Sequence, residues 1–192
     1  MKTVLKTMQK KNSGIPSDIL PLFEGIILKY EGSGLPSLPP ECEIEFFSAM
    51  ENHLTKEQRF RLYEINGGCK GTGADKARKA FAQEHAGLPL ADRLELFMKD
   101  CNRGGRVLND DNTITVTFAC THGYYKRVRE KKPFNPPASL QTYFDSCAGG
   151  RLYELEQALG IKLRIKSVDT SPLDENPANH VVFTFKIVEK SI

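Results

Sequence analysis

The chain has 192 residues, of which 40% are hydrophobic and 27% are charged, a size and composition typical of one globular domain with its own core. The formal net charge of +3 is too small to indicate a nucleic-acid partner, no run approaches the roughly 18 apolar residues of a membrane helix, and the polar start predicts no signal peptide. Five cysteines without a CxxC pair favour a reducing compartment, so we expect a cytoplasmic protein of bacterial type that binds neither nucleic acid nor membrane.

The first half of the chain is predicted to be mainly helical. Residues 1–15 are polar and are predicted to form a loosely ordered leader. Apolar residues recur at helical spacing through residues 16–103, in segments separated by glycine, proline or polar breaks. Thr55 and Gln58 form a capping-box pattern, which predicts that one of these helices begins there. Another helix is predicted to begin near Thr72.

From Gly104 onwards the apolar residues alternate with polar ones, a pattern typical of strands that bury one face. The second strand carries its apolar side chains on one face and threonines on the face expected to meet water. A helix is predicted between the second and third strands, over roughly residues 148–159, with Gly160 as its C-terminal stop. The four predicted strands cover residues 106–108, 113–120, 161–167 and 181–187.

This order of elements predicts an α+β fold. N-terminal helices come first, followed by a four-stranded, mainly antiparallel sheet with a helix packed on one face. Because the helices come early and the strands late, a doubly wound parallel sheet is not expected. We expect one domain over residues 16–192, mainly helical over 16–103 and built of sheet plus helix over 104–192.

A thiol and an imidazole occur together at the end of the most strongly predicted strand. Residues two apart on a strand point to the same side, so Cys120 and His122 become neighbours if the strand continues that far. Such a pair can bind a soft metal ion or act as a thiolate nucleophile with its base. The alternative is a buried structural cysteine followed by a surface histidine.

A second cysteine, Cys147, precedes the predicted helix at residues 148–159. At a helix N-terminus the macrodipole and the free N–H groups favour a thiolate, so this position suits a nucleophile. Gly149 and Gly150 would let a ligand approach the backbone closely. The alternative is a small buried residue where helix and sheet meet, with the glycines serving close packing.

A third cysteine, Cys69, lies in the glycine-rich segment GGCKGTG that precedes a predicted helix. Backbone amides there can bind an anion. The segment lacks the order of a P-loop, and no strand comes before it. A turn between two helices is the alternative reading.

Three short motifs, taken together, resemble a known family. They are GGCKG around Cys69, TFACTHGYY around Cys120, and a P-x-x-x-x-x-Y-F-x-x-C-A-G-G pattern around Cys147. Over about residues 50–190 the chain is similar to a poorly characterised prokaryotic family related to 4-vinyl reductase-type domains and to L-2-amino-thiazoline-4-carboxylate hydrolase-like proteins. Members of that family carry more cysteines in each motif, whereas this chain keeps one in each.

The resemblance implies an α+β domain in which helices and a curved antiparallel sheet enclose a ligand pocket. It also implies a metal site with fewer cysteines than in the family, in which the four donors are Cys69, Cys120, His122 and Cys147. Three thiolates and an imidazole suit zinc, and iron is the other candidate cofactor. The two remaining cysteines fall outside the motifs.

Three functions follow from these residues and stay open at this point. The first is a ligand-binding domain that holds a small molecule or a metal ion at a Cys/His-lined pocket. The second is a cysteine-dependent hydrolase of a cyclic amidine or amide substrate, with Cys147 or Cys120 as the nucleophile and His122 as the base. The third is a structural or interaction domain in which the cysteines are separate core residues.

Overall fold

The computed structural model describes residues 1–31, 38–67, 72–99, 104–119, 140–176 and 178–189. Within these ranges the protein has an α+β fold, which confirms the predicted fold class. The α-helices are α1 (Lys2–Met8), α2 (Leu20–Glu31), α3 (Pro40–His53), α4 (Lys56–Asn66), α5 (Thr72–Glu84), α6 (Leu90–Lys99), α7 (Leu140–Leu159) and α8 (Pro172–Glu175). The strands are β1 (Arg106–Leu108), β2 (Thr113–Phe118), β3 (Lys162–Asp169) and β4 (Val181–Glu189).

The contacts divide the chain into two compact units. The N-terminal unit comprises Met1–Asn66 and Thr121–Asp145, and the sheet unit comprises Gly67–Cys120 and Ser146–Ile192. The division therefore falls within α7, between Asp145 and Ser146, and not at residue 103 where the composition changes. The organisation as a single domain over residues 16–192 stays a prediction.

The start of the chain differs from the loosely ordered leader expected over residues 1–15. Helix α1 occupies most of that segment, and its Val4, Thr7 and Met8 are buried. These positions are separated by three and four residues, so they share one face of the helix. The Thr7 hydroxyl also lies 3.1 Å from Oδ1 of Asn66, the last residue of α4. Contacts with a distant segment therefore order a stretch whose own composition is polar.

Helix α4 begins as its sequence pattern predicts. The Thr55 backbone N–H donates to Gln58 Oε1 at 2.9 Å, and the Gln58 N–H donates to Thr55 Oγ1 at 3.2 Å. This reciprocal pair is a capping box, which satisfies two donors that a helix start leaves without intrahelical partners. After Asn66, Gly67 has a φ of 54°, a conformation that glycine adopts without steric penalty.

The sheet has the order β1-β2-β4-β3, and every neighbouring pair is antiparallel. Ile114 of β2 lies opposite Phe185 of β4, and Val116 lies opposite Phe183. All four of these side chains are buried, so they form the apolar face of the sheet. Burial of this face supplies the main driving force for docking other elements onto it.

The threonine face of β2 is less exposed than expected. Thr113 is buried, and Thr115 and Thr117 are half-buried. The Asn109 side-chain amide donates to both Thr113 Oγ1 and Thr115 Oγ1, at 2.9 Å each. Thr117 Oγ1 accepts a hydrogen bond of 2.7 Å from the Gly105 N–H. The hydroxyls are therefore paired with neighbouring loop and strand groups.

Helix α7 packs on the sheet as predicted, but it begins at Leu140, well before the expected start at residue 148. Its Leu152, Leu155 and Leu159 are buried. The helix ends before Gly160, which has a φ of 62°, and Arg93 of α6 donates to the Leu159 carbonyl at 2.6 Å. Among the described helices, none is both long and apolar enough to cross a bilayer.

Candidate functional site

One of the four predicted metal or catalytic residues, Cys147, lies in the part of the chain that the structure describes. The other three, Cys69, Cys120 and His122, lie outside the described residues, so their predicted roles stay predictions. The observed geometry consequently concerns Cys147 and the groups around it. This region belongs to the sheet unit.

Cys147 lies inside α7, about two turns after the helix begins at Leu140. Its backbone N–H is therefore not one of the first four, which lack intrahelical partners, and the macrodipole effect is confined to the terminal turn. The prediction that Cys147 occupies a helix N-terminus is wrong. The helix begins at Leu140 and not near residue 148, and Gly149 and Gly150 both lie buried within it.

The thiol of Cys147 is half-buried, one helical turn before Arg151 on the same face of α7. The Arg151 guanidinium carbon lies 5.3 Å from the centre of the Phe118 ring. Phe118 is the last residue of β2 and comes two residues before Cys120 in the chain. The contact therefore connects the turn of α7 that follows Cys147 with the end of the strand that leads to Cys120.

Arg151 is held in place by a cluster of buried charges. Glu154 lies between two guanidinium groups: Arg106 Nη2 is 3.2 Å from Glu154 Oε1, and Arg151 Nη1 pairs with Glu154 Oε2. The three side chains are only 3%, 8% and 12% exposed for Arg106, Glu154 and Arg151. The Arg106 guanidinium also lies over the Phe97 ring, with 5.2 Å between its carbon and the ring centre. Buried, paired charges of this kind hold their side chains in defined positions.

Of the four proposed metal ligands, the described residues include Cys147 alone. Within the described ranges, no group of three or more His, Cys, Asp or Glu side chains is arranged to hold a metal ion. A metal site that includes Cys147 must therefore draw ligands from outside those ranges. The motif residues Cys69, Cys120 and His122 are candidates of the right chemistry.

Cys42, which lies outside the motifs, is a contrasting thiol in the N-terminal unit. It is fully buried in α3, and burial raises the pKa of its thiol above the ordinary value, with nearby glutamates adding to the rise. A buried thiol with a raised pKa forms little thiolate and reacts slowly. Cys42 is therefore a core residue and a suitable reference for the behaviour of Cys147.

Sequence reasoning missed the buried charges around Glu154 and also a second polar cluster, which lies in the N-terminal unit. Asp145 is fully buried, and its Oδ2 accepts a hydrogen bond of 2.9 Å from Arg59 Nε. Its Oδ1 accepts another, also of 2.9 Å, from Gln141 Nε2. The one signal in the sequence was Arg59 itself, a charged residue immediately before Phe60 on the inward side of α4. The cluster is structural in character, since each of its charges is paired.

Comparison with known proteins found no matching family model, no similar curated protein and no similar solved structure. The class of this protein consequently rests on its own fold, which is α+β with an antiparallel sheet and a long helix packed against it. The resemblance to the cysteine-motif family stays a prediction.

Proposed function

We propose that the chain is a ligand-binding protein whose site contains Cys147 and takes a thiophilic metal ion or a small molecule. The observation that carries the proposal is the position of the Arg151 guanidinium over the Phe118 ring. It connects the neighbourhood of one motif cysteine with the strand end that precedes another. Metal binding is easier to test than binding of a small molecule, because it predicts a defined set of donor residues.

The geometry around α7 supports a site of this kind. Side chains four apart on a helix are neighbours, so Cys147 and Arg151 share one stretch of the helix surface. Side chains two apart on a strand share a face, so a continued β2 would direct Cys120 to the side of Phe118. The proposal accordingly requires the sulfur atoms of Cys120 and Cys147 to approach within the span of a shared ion, with about 2.3 Å for each Zn–S bond.

The first experiment is elemental analysis of protein purified under reducing conditions without chelator. We expect about one equivalent of zinc or iron per chain. The variants Cys147→Ser and Cys120→Ser should each lose most of that metal, because a hydroxyl is a poor ligand for a soft site. Cys42→Ala is the matched control: it also removes one thiol, but from a core position, and should keep the metal.

A second measurement tests the proximity of the two cysteines without relying on metal. Mild oxidation of metal-free protein, followed by proteolysis and mass spectrometry, should yield a disulfide-linked peptide pair containing Cys120 and Cys147. Disulfide formation requires Cα atoms about 4.4–6.8 Å apart, so an efficient cross-link reports their closeness directly. Absence of both the metal and the cross-link would contradict the proposed site.

Thiol reactivity separates this proposal from the hydrolase hypothesis. With Cys147 inside α7, a helix N-terminus no longer supports it as an activated nucleophile. Labelling with a thiol reagent near neutral pH, resolved by peptide, should therefore show no thiol that reacts far faster than the others in the metal-bound protein. A single fast thiol at Cys147 or Cys120 would favour the hydrolase instead.

A further inference from the structure

Helix α2 exposes apolar side chains to solvent. Leu28 is 65% exposed, more than any other large apolar side chain in the described part of the chain, and Leu22 is 40% exposed. Gly25 lies midway between them, and a Cβ there would meet open space among the described residues beyond the helix backbone. Residues three apart are neighbours on a helix, so these positions form one open stretch of its surface. Covering this stretch with an apolar partner would be favourable.

The preceding segment of the chain adds lysines to this side of the N-terminal unit. Lys6 of α1 is exposed, as are Lys10 and Lys11, which follow the end of the helix. None of these three lysines forms an ion pair with a described residue. Residues 1–31 contain five lysines and three acidic residues, so positive charge is in excess there.

Two polar contacts hold α1 beside α2 with the opposite chain direction. Lys2 Nζ lies 2.5 Å from Glu31 Oε1. Gln9 Nε2 donates to Glu24 Oε1 at 2.9 Å. The start of α1 therefore lies beside the end of α2, and the two glutamates of α2 each have a partner on the chain around α1.

Lys6 and Leu28 lie between these two polar contacts. On α1, Lys6 follows the first contacting residue by four positions and precedes the second by three, and Leu28 has the same spacing between the two glutamates of α2. Side chains three or four apart share one side of a helix. A lysine and the most exposed leucine therefore face solvent on the same side of the helix pair. We call Leu22, Leu28, Lys6, Lys10 and Lys11 the leucine–lysine face.

We propose that the leucine–lysine face binds the surface of an anionic phospholipid bilayer. Exposed leucines can enter the boundary between headgroups and acyl chains, while lysines beside them attract anionic headgroups. The sequence predicted no membrane partner because no apolar run is long enough to span a bilayer, but a surface contact needs no such run. The face belongs to the N-terminal unit, so the proposal is independent of the site at Cys147 in the sheet unit.

The composition of the face favours a bilayer over a second copy of the chain or a nucleic acid. Two copies joined through this face would bring its lysines together, and like charges across an interface repel. A nucleic acid would pair with the lysines but leave the leucines without an apolar partner. Surfaces that bind single strands present aromatic side chains for base stacking, and the apolar residues of this face are leucines. An anionic bilayer offers partners to both kinds of side chain.

The test is co-sedimentation of the intact chain with vesicles of phosphatidylcholine that contain about one third phosphatidylserine. We expect binding that weakens strongly with added salt and is largely lost with phosphatidylcholine alone. Lys6→Gln with Lys10→Gln should weaken binding at least about fivefold, because each lysine near an anionic surface adds to the attraction. Leu28→Gln should weaken it at least about threefold, because less apolar surface enters the bilayer.

The matched controls make the same changes at exposed positions of the sheet unit. Lys76→Gln with Lys79→Gln alters two exposed lysines of α5, and Leu88→Gln alters an exposed leucine between α5 and α6. Each control should change vesicle binding by less than about twofold, since its charge or apolar group lies outside the proposed contact. Circular dichroism checks the folding of every variant, and Leu28→Ala replaces Leu28→Gln if the latter fails to fold.

Four outcomes would each overturn the proposal. They are no vesicle binding by the wild type, equal losses in test and control variants, unchanged binding by the Leu28 variant, and tighter binding of a single-stranded oligonucleotide than of the anionic vesicles. Light scattering tests the remaining occupant. A concentration-dependent dimer that Leu28→Gln abolishes would assign the face to a second copy of the chain and would also overturn the proposal.

Discussion

At the scale of single residues, the ion pair between Arg59 and Asp145 is the most completely buried charge contact among the described residues of the N-terminal unit. The side chains are 9% and 0% exposed, respectively. Arg59 also donates to the Leu54 carbonyl at 3.0 Å, so its guanidinium bridges α7 and the residue after α3. Because both partners are buried, loss of Arg59 leaves the Asp145 carboxylate with its Gln141 hydrogen bond but without a counter-charge.

We therefore expect Arg59→Ala to lower the free energy of unfolding by about 3–5 kcal/mol. Urea unfolding followed by circular dichroism measures the change. The control is Lys2→Ala, which removes an exposed ion pair with Glu31 in the same unit. It should lower the free energy of unfolding by less than about 1 kcal/mol. Similar small losses in both variants would show that the buried pair does not stabilise the fold.

The same variant has an expected pH dependence. Burial raises the pKa of Asp145, and the hydrogen bonds from Arg59 and Gln141 oppose the rise. A raised folded-state pKa gives stability that is full below the ordinary aspartate pKa of about 3.9 and is lost as the pH rises through the folded value. Arg59→Ala removes one opposing effect and raises the pKa further. The difference in the free energy of unfolding between Arg59→Ala and the wild type should therefore shrink as the pH is lowered from about 7 towards 4.

At the scale of elements, the entry into β1 depends on one glycine. Gly104 has a φ of 111°, and a Cβ at this position would overlap the carbonyl oxygen of Thr117. The next residue, Gly105, pairs with Thr117 through its carbonyl, which accepts from the Thr117 N–H at 2.9 Å. The chain can approach β2 this closely only because residue 104 has no side chain.

Gly104→Ala should consequently lower the free energy of unfolding by at least about 1–3 kcal/mol, since it adds a steric overlap to a strained backbone conformation. Gly25→Ala is the matched control. Gly25 lies inside α2, and a Cβ there would meet open space among the described residues beyond the helix backbone, so alanine should stabilise the helix by about 0.5–1 kcal/mol. Thermal unfolding measures both effects: the melting temperature should fall for Gly104→Ala and rise for Gly25→Ala. Tolerance of alanine at residue 104 would contradict the observed approach of the strands.

At the scale of the whole molecule, the sheet is organised around its last strand. β4 pairs with β2 on one side and with β3 on the other, although it comes last in the chain. Its Phe183 and Phe185 are fully buried. β1, in contrast, has three residues, pairs with β2 in the described part of the chain, and exposes Val107 by 57%. Stability against local opening should therefore differ across the sheet.

Hydrogen exchange followed by mass spectrometry tests this gradient. Amides of β4 should exchange most slowly, because their release requires the separation of two neighbouring strands and exposure of the aromatic core. Amides of β1 should exchange fastest among the strands. Comparable protection of β1 and β4 would mean that the sheet opens only as one cooperative unit.

The sequence by itself determined the elements whose stabilising contacts are local. The capping box of Thr55 and Gln58 joins residues three apart, and the alternation in β2 and β4 follows from the two-residue period of a strand. The α+β fold class followed from the order of such patterns. For the proposed site, the sequence selected Cys147 by chemistry, but it assigned the wrong position within the helix.

Only the tertiary structure decided the features that depend on distant partners. Helix α7 extends through Gly149 and Gly150 back to Leu140, and its first turns bury Tyr143 and Phe144 and hold Asp145 against Arg59. Such contacts join residues far apart in the chain, so local propensity cannot report them. The position of Cys147 inside α7, and the contact of Arg151 with Phe118, were set by this packing.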